Sequence, residues 1–220
     1  PYNRLLARAP RFRLAAEFVR DGALAASGLL NDDLGGPSVH PYQPDGLWEE
    51  VSHYGYPKPF SSQKFLPGSG RVLYRRSLYT AWKRTSPPPS MAIFDAPSRE
   101  TCSVRRLNTN TPLQALVLQN DPQFLEAASA LGDLMAAAGS PQDGIDLGAK
   151  RVLGSAPTTK ELDVLSAALV RYRQAYQSQA EKARQLLASA GAPGSGDPVQ
   201  VAWMLVASTL LNMDEAMTRQ

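Results

Sequence analysis

Two of the residue types that most often carry chemistry are nearly absent. The 220-residue chain holds one cysteine, Cys102, and two histidines, His40 and His53. One cysteine excludes an internal disulfide, a Cys-x-x-Cys-His haem attachment site and a cysteine-built zinc site. A lone thiol of this kind reads as a small buried apolar side chain, although Arg99, Arg105 and Arg106 nearby could lower its pKa. The histidines stand apart, with no His-x-x-x-His pair, and no Gly-x-Ser-x-Gly nucleophile motif is present. They read as ordinary polar loop residues. No apolar run reaches the roughly 18 to 20 residues that span a bilayer. No basic stretch followed by an apolar one opens the chain, so no signal peptide is expected within these residues. The first residue is Pro1 rather than Met, which reads as a start inside a longer protein. Gly68-Ser69-Gly70 is too short to cradle a phosphate, and Gly35-Gly36-Pro37-Ser38 reads as a turn.

Charge is unevenly placed. The net formal charge is +3, yet residues 71–112 carry eight basic and two acidic groups. Residues 1–70 balance at seven of each, and residues 113–220 carry eight basic against eleven acidic groups. The basic character therefore belongs to one segment. That neighbourhood is also rich in proline: eleven of the eighteen prolines lie between Gly35 and Pro112. Proline fixes φ and removes a backbone donor, so long regular elements are not expected there. Trp48, Trp82, Phe60, Phe65, Phe94 and five of the eight tyrosines share the region. Disordered segments are poor in aromatics, so the stretch reads as an ordered, irregular layer packed on helices.

Helix signals flank that layer. From Phe12 to Leu30 the apolar residues Phe12, Ala16, Val19, Ala23, Ala26 and Leu30 recur at three- and four-residue steps. Arg13, Glu17, Arg20 and Asp21 fall largely elsewhere on that wheel. Leu47 to Ser52 reads as a short helix, and Val72 to Trp82 as a strand or a short helix. Thr111-Pro112-Leu113-Gln114 fits a capping box with proline at the first helical position. Asp121-Pro122, Ser140-Pro141 and Asp197-Pro198 open three further helices, with Gly139 and Gly154 as stops. Thr158-x-x-Glu161 opens another, expected to run to Ala190. Gly191 to Gly196 reads as a flexible turn. The expected fold is all-α, mainly helical, with an irregular proline- and aromatic-rich layer and room for a short β element. Residues 1–220 are expected to form a single domain, itself the C-terminal part of a larger one: 1–34 helical, 35–112 irregular, 113–220 helical.

The candidate site is the segment from Tyr74 to Leu116. Arg75, Arg76, Lys83, Arg84, Arg99, Arg105 and Arg106, with Trp82, Asn108 and Asn110, could bind sulfate, phosphate, carboxylate or an acidic polymer. Arginine supplies planar paired donors, and the aromatic rings supply stacking faces. The competing reading has these arginines bonding carbonyls that proline-broken backbone leaves unpaired. Asp95 and Glu100 are the weak catalytic candidates, as an acid/base pair or as simple ion-pair partners. Nucleic acid is a poorer fit, because no recognition motif accompanies the basic residues. Asp95, Glu100, Asn108, Asn110, Asn120 and Asp121 lack calcium-loop spacing, and no metal site is expected.

Several blocks resemble a known family. RFRLAAEFVRDGALAASGLL, GGPSVHPYQPDGLWEE, RRSLYTAWKRTSPPPSMAIFDAPSRETCSVRRLNTNTPLQALVLQNDPQFLEAA and VASTLLNMDEAMTRQ are similar to the planctomycete-specific PSD-one domain, a domain of unknown function also catalogued as fifteen fifty-three. The likeness is weakest from about residue 142 to 196, and Ala15 stands where the family commonly has proline. The resemblance implies the C-terminal portion of a large exported or periplasmic protein. It also implies an upstream c-type cytochrome domain, so haem is expected only outside this chain, and no cofactor within it. The expected partners are the missing N-terminal half and an anionic polysaccharide. The family brings no established activity. The expected role is a non-catalytic scaffold or anionic-ligand-binding domain of an exported, cytochrome-linked protein serving polysaccharide use; the alternative is an enzyme acting on sulfated or acidic carbohydrate, with Asp95 and Glu100 as acid and base and the arginines as clamps.

Overall fold

The computed structural model describes residues 11–51, 64–192 and 196–219. In chain order its elements are strand β1 (Phe12–Arg13), helices α1 (Ala16–Ser27), α2 (Leu47–Glu50), α3 (Pro89–Ile93), α4 (Pro112–Asn120), α5 (Pro122–Ala136), α6 (Pro141–Leu153), α7 (Thr159–Gln177), α8 (Ala180–Ser189), α9 (Pro198–Leu211) and α10 (Asp214–Met217), and strand β2 (Thr218–Arg219). The described chain is thus mostly helical, with one two-stranded antiparallel ribbon.

Local chemistry sets most helix starts. Asp121, Ser140 and Asp197 each accept a backbone N–H from the first turn, at 2.9, 3.2 and 2.9 Å, and each precedes a proline at the first helical position. A proline there gives up no intrahelical bond. Thr158 and Glu161 form the reciprocal capping box before α7. Gly28 and Gly154 end α1 and α6 with φ near 80°, a conformation that favours glycine.

Helix α9 is the axis of the bundle. Val201, Ala202, Met204, Val206, Ala207 and Leu210 are all buried, so the apolar stripe through Trp203, Val206 and Leu210 is only part of its covered surface. Helices α5, α6, α7 and α8 pack around it. Gly132 lets α5 approach closely, since a Cβ there would stand 2.7 Å from the Met204 backbone nitrogen. Gly144 does the same for α6, where a Cβ would meet the Met135 carbonyl at 2.4 Å.

The structure departs from the sequence reading at several elements. The helix expected across Phe12–Leu30 begins only at Ala16. Phe12 and Arg13 pair instead with Arg219 and Thr218, and the Leu14 N–H donates to the Met217 carbonyl at 2.8 Å. Phe12 is consequently exposed. The helix expected from Thr158 to Ala190 breaks after Gln177, which lets Ala183, Leu187 and Ala190 bury themselves separately in the core. Val72 to Trp82 is neither strand nor single helix. It makes two 3₁₀ turns, Gly70–Tyr74 and Ser77–Tyr79, with isolated bridges from Arg75 to Asn31 and from Thr80 to Val39. The Thr111–Gln114 capping box does not form, because Gln114 is buried and bonded elsewhere. Part of the expected Gly191–Gly196 turn lies outside the described residues.

The irregular layer sits on α1 and α5 through buried polar tethers. Arg20, on the wheel position read as polar face, is only 5% exposed. Its Nε donates to Gln123 Oε1 at 2.7 Å, its Nη1 to the Arg75 carbonyl at 2.9 Å and Ser77 Oγ at 3.2 Å, and its Nη2 to the Leu73 carbonyl at 2.6 Å. Asp21 beside it accepts from the backbone N–H and the hydroxyl of Ser77, at 2.8 and 2.6 Å. Tyr74 adds a third tether, donating to Glu126 of α5 at 2.6 Å. Burial, followed by the Glu126 hydrogen bond and charge, pushes that phenol up to about 12.

Arg20→Leu is predicted to cost on the order of 3 kcal/mol, because it strands two carbonyls and Asp21 at the layer junction. Arg20→Lys should recover less than half of that loss, since an ammonium cannot reach four acceptors in the guanidinium's plane. Gly132→Ala should cost about 1–3 kcal/mol through the forced separation of α5 and α9. Urea unfolding of the three variants measures each.

Candidate functional site

The basic segment divides into an interior part and an exposed part. Arg75 belongs to the interior and is 6% exposed. Its Nη1 donates to the Pro37 carbonyl at 3.0 Å, and its Nη2 to the carbonyls of Asp33, at 3.2 Å, and Gly35. The guanidinium lies 3.9 Å from the Tyr79 ring centre, and the Tyr79 hydroxyl accepts the Gly35 N–H at 2.8 Å. Arg75 therefore closes the Asp33–Pro37 turn and presents no free face to a ligand. Lys83 is likewise engaged. Its Nζ donates to the Trp48 carbonyl at 3.4 Å and lies 4.9 Å from the Trp48 ring centre. Trp48, His40 and Phe65 form an edge-to-face cluster with centroids 5.3 to 5.9 Å apart. His40 thus has a packing role, while His53 lies outside the described residues.

The exposed part is an arm from Pro97 to Thr111 without regular structure. Asp95, at φ 60°, secures its return: the carboxylate accepts the Thr109 N–H at 2.7 Å and the Thr109 hydroxyl at 2.8 and 3.0 Å. Beneath that clamp lies Gln114, 1% exposed. Its Nε2 donates to the Ile93 carbonyl at 3.0 Å and Thr109 Oγ1 at 3.3 Å, and its Oε1 accepts from Arg13 at 2.8 Å. Arg13 and Arg11 both pair with Asp214, so the clamp connects through to the other end of the chain. At the start of the arm the Trp82 indole N–H donates to the Ser98 carbonyl at 3.0 Å, and the Arg99 guanidinium stacks 4.4 Å from the Trp82 ring centre.

Arg106 anchors the arm to α1. Its two terminal nitrogens meet the two Glu17 oxygens at 2.7 and 3.1 Å. Burial alone would raise the Glu17 carboxyl; the Arg106 hydrogen bonds, a backbone hydrogen bond, and the charges of Arg106 and Arg99 outweigh it and hold the group below its ordinary 4.5. Arg76, Arg84, Arg105, Asn108 and Asn110 are exposed, and their side chains make no hydrogen bond or ion pair among the described residues. Cys102 is exposed too, against the expectation of a buried thiol, because no described residue packs over the arm at that point.

Asp95 and Glu100, the weak catalytic candidates, have different surroundings. Both Asp95 oxygens hold Thr109, and Glu100 is exposed, with only its backbone N–H engaged, at 3.4 Å from Ser98 Oγ. Among the described residues, no three His, Cys, Asp or Glu side chains converge in a way that could hold a metal. The sequence reading missed Arg20, Glu17 and Gln114, which position the segment. The available signal was the number of carbonyls that eleven prolines leave without ladder partners, which demands side-chain donors from a neighbouring helix.

The Glu17–Arg106 pair gives stability a pH dependence with a definite sign. The folded carboxylate binds a proton more weakly than the unfolded one. Its contribution is therefore present above about pH 4.5 and is lost as pH falls through the lower folded value. Urea unfolding between about pH 6 and pH 3 should show a smaller acid loss in Arg106→Ala than in the unaltered chain. Equal slopes would show that the pair contributes nothing.

No curated protein and no solved structure matches the chain. The family described as PSD1, protein of unknown function (DUF1553), matches residues 1–169. That range contains α1, the irregular layer, the Asp95–Thr109 clamp and the whole basic arm; the closing VASTLLNMDEAMTRQ block lies beyond it. The chain belongs to the PSD1 (DUF1553) family.

Proposed function

We propose that this chain is a non-catalytic scaffold whose basic arm binds an anionic partner. The observation that carries the reading is the division of the arginines. Arg20 and Arg75 are spent on backbone carbonyls, whereas Arg105 on the arm, and Arg76 and Arg84 outside it, are exposed and make no ion pair among the described residues. Arg99 is held over Trp82 on a backbone at φ 64°, which presents its charge on the arm. Guanidinium groups held on a tethered loop suit sulfate or carboxylate groups of a polymer. In this reading the domain belongs to an exported, cytochrome-linked protein serving polysaccharide use, and haem would belong to another domain of that protein. An enzyme using Asp95 and Glu100 as acid and base has less support, because Asp95 is occupied by Thr109.

The test is binding to sulfated dextran and polyuronate, immobilised, across a salt series. Arg99→Ala with Arg105→Ala should weaken binding about tenfold, equivalent to about 1.4 kcal/mol, and flatten the salt dependence. Unchanged binding in a variant with intact circular dichroism overturns the placement on the arm. No binding by the unaltered chain to either polymer overturns the polysaccharide assignment.

A further inference from the structure

Where the irregular layer meets the bundle, a small cavity is lined by Arg20, Pro41, Gln43, Thr80, Met91 and Gln123, among others. It admits the centre of a water-sized sphere over ≈ 10 Å³, about the room that one water molecule needs. Two of its lining residues carry polar atoms without partners. Gln43 is 4% exposed and Thr80 is 7% exposed, and neither Gln43 Nε2 nor Thr80 Oγ1 has a hydrogen-bond partner among the described residues. A third group is also incompletely used. A guanidinium has five N–H donors, and Arg20 directs one from Nε, two from Nη1 and one from Nη2 to protein acceptors, which leaves one on Nη2.

Buried donors without acceptors are costly, and native structures rarely keep them. A polar site with two or more partners and room for one water is where a structural water is held. An apolar occupant would leave Gln43 and Thr80 unsatisfied, and the space is too small for a larger polar ligand.

We propose that one water molecule is bound in this cavity as part of the fold. It accepts from Gln43 Nε2 and bonds the Thr80 hydroxyl, and its second lone pair is open to the spare Arg20 N–H. The water then joins the Pro41–Gln43 strap and the Thr80 segment to the Arg20 tether. This holds the layer at a place where no direct side-chain bond joins Gln43 to Thr80. The site is independent of the anion-binding reading, because none of the arm residues lines it.

Two measurements test it on the unaltered chain. A crystal structure resolving ordered solvent should show one peak within hydrogen-bonding distance of both Gln43 Nε2 and Thr80 Oγ1. In solution, magnetisation transfer from a long-lived water to the Gln43 side-chain amide protons should be present, and Thr80→Val should abolish it. A dry cavity, or a direct Gln43–Thr80 bond, overturns the proposal. So does absence of transfer in the unaltered chain, a readout that holds even if the variant does not fold.

Discussion

The Arg20 guanidinium lies where α1 meets the irregular layer, and it bonds the Leu73 and Arg75 carbonyls, Ser77 and Gln123 at once. Removing such a charge from water is expensive unless its donors are met. Burial pulls its pKa down, and the charges of Asp21 and Asp121 oppose that shift. Asp121 is itself raised by burial, against the lowering effects of the Gln123 hydrogen bonds and the Arg20 charge. The same few residues therefore cap α5, orient Gln123 and fix the layer. A proline-broken backbone cannot satisfy its own carbonyls through a ladder, so a fixed fork of donors from the neighbouring helix takes that part.

Beyond this junction the layer and the arm are held by successive attachments. Arg75 and Tyr79 close the Asp33–Pro37 turn. Asp95, Thr109 and Gln114 secure one end of the arm, and Trp82 and Ser98 the other. Arg106 ties the arm to α1 through Glu17. Of these, the Arg106–Glu17 pair joins partly exposed groups, and an exposed ion pair contributes little. The arm is thus held at its two ends and at Arg106, while Val104, Arg105 and Leu107 beside that anchor are exposed.

The helices were legible because their starts depend on neighbours in sequence. Asp121, Ser140 and Asp197 reach N–H groups only two or three residues ahead, and a following proline restricts the backbone whatever surrounds it. Gln114 shows the limit of such reading. Its spacing from Thr111 suits a capping box, but a buried position offered it Ile93, Thr109 and Arg13. A side chain that can bond locally takes distant partners when those are drier. The break at Ser178 was illegible for a related reason, since it serves the burial of Leu187 and Ala190 in a core that the local pattern does not describe.

The sequence by itself determined the mainly helical class, the helix caps at Asp121, Ser140, Thr158 and Asp197, the basic and irregular character of residues 71–112 and the membership in the PSD1 family. All of these rest on composition or on contacts a few residues apart. Only the tertiary structure decided which arginines are interior and which are exposed. Arg75 and Arg105 are the same residue type in the same basic segment, yet one is bonded to three carbonyls and the other faces solvent. What separates them is the position of carbonyls about forty residues away, and chain neighbours carry no information about that distance.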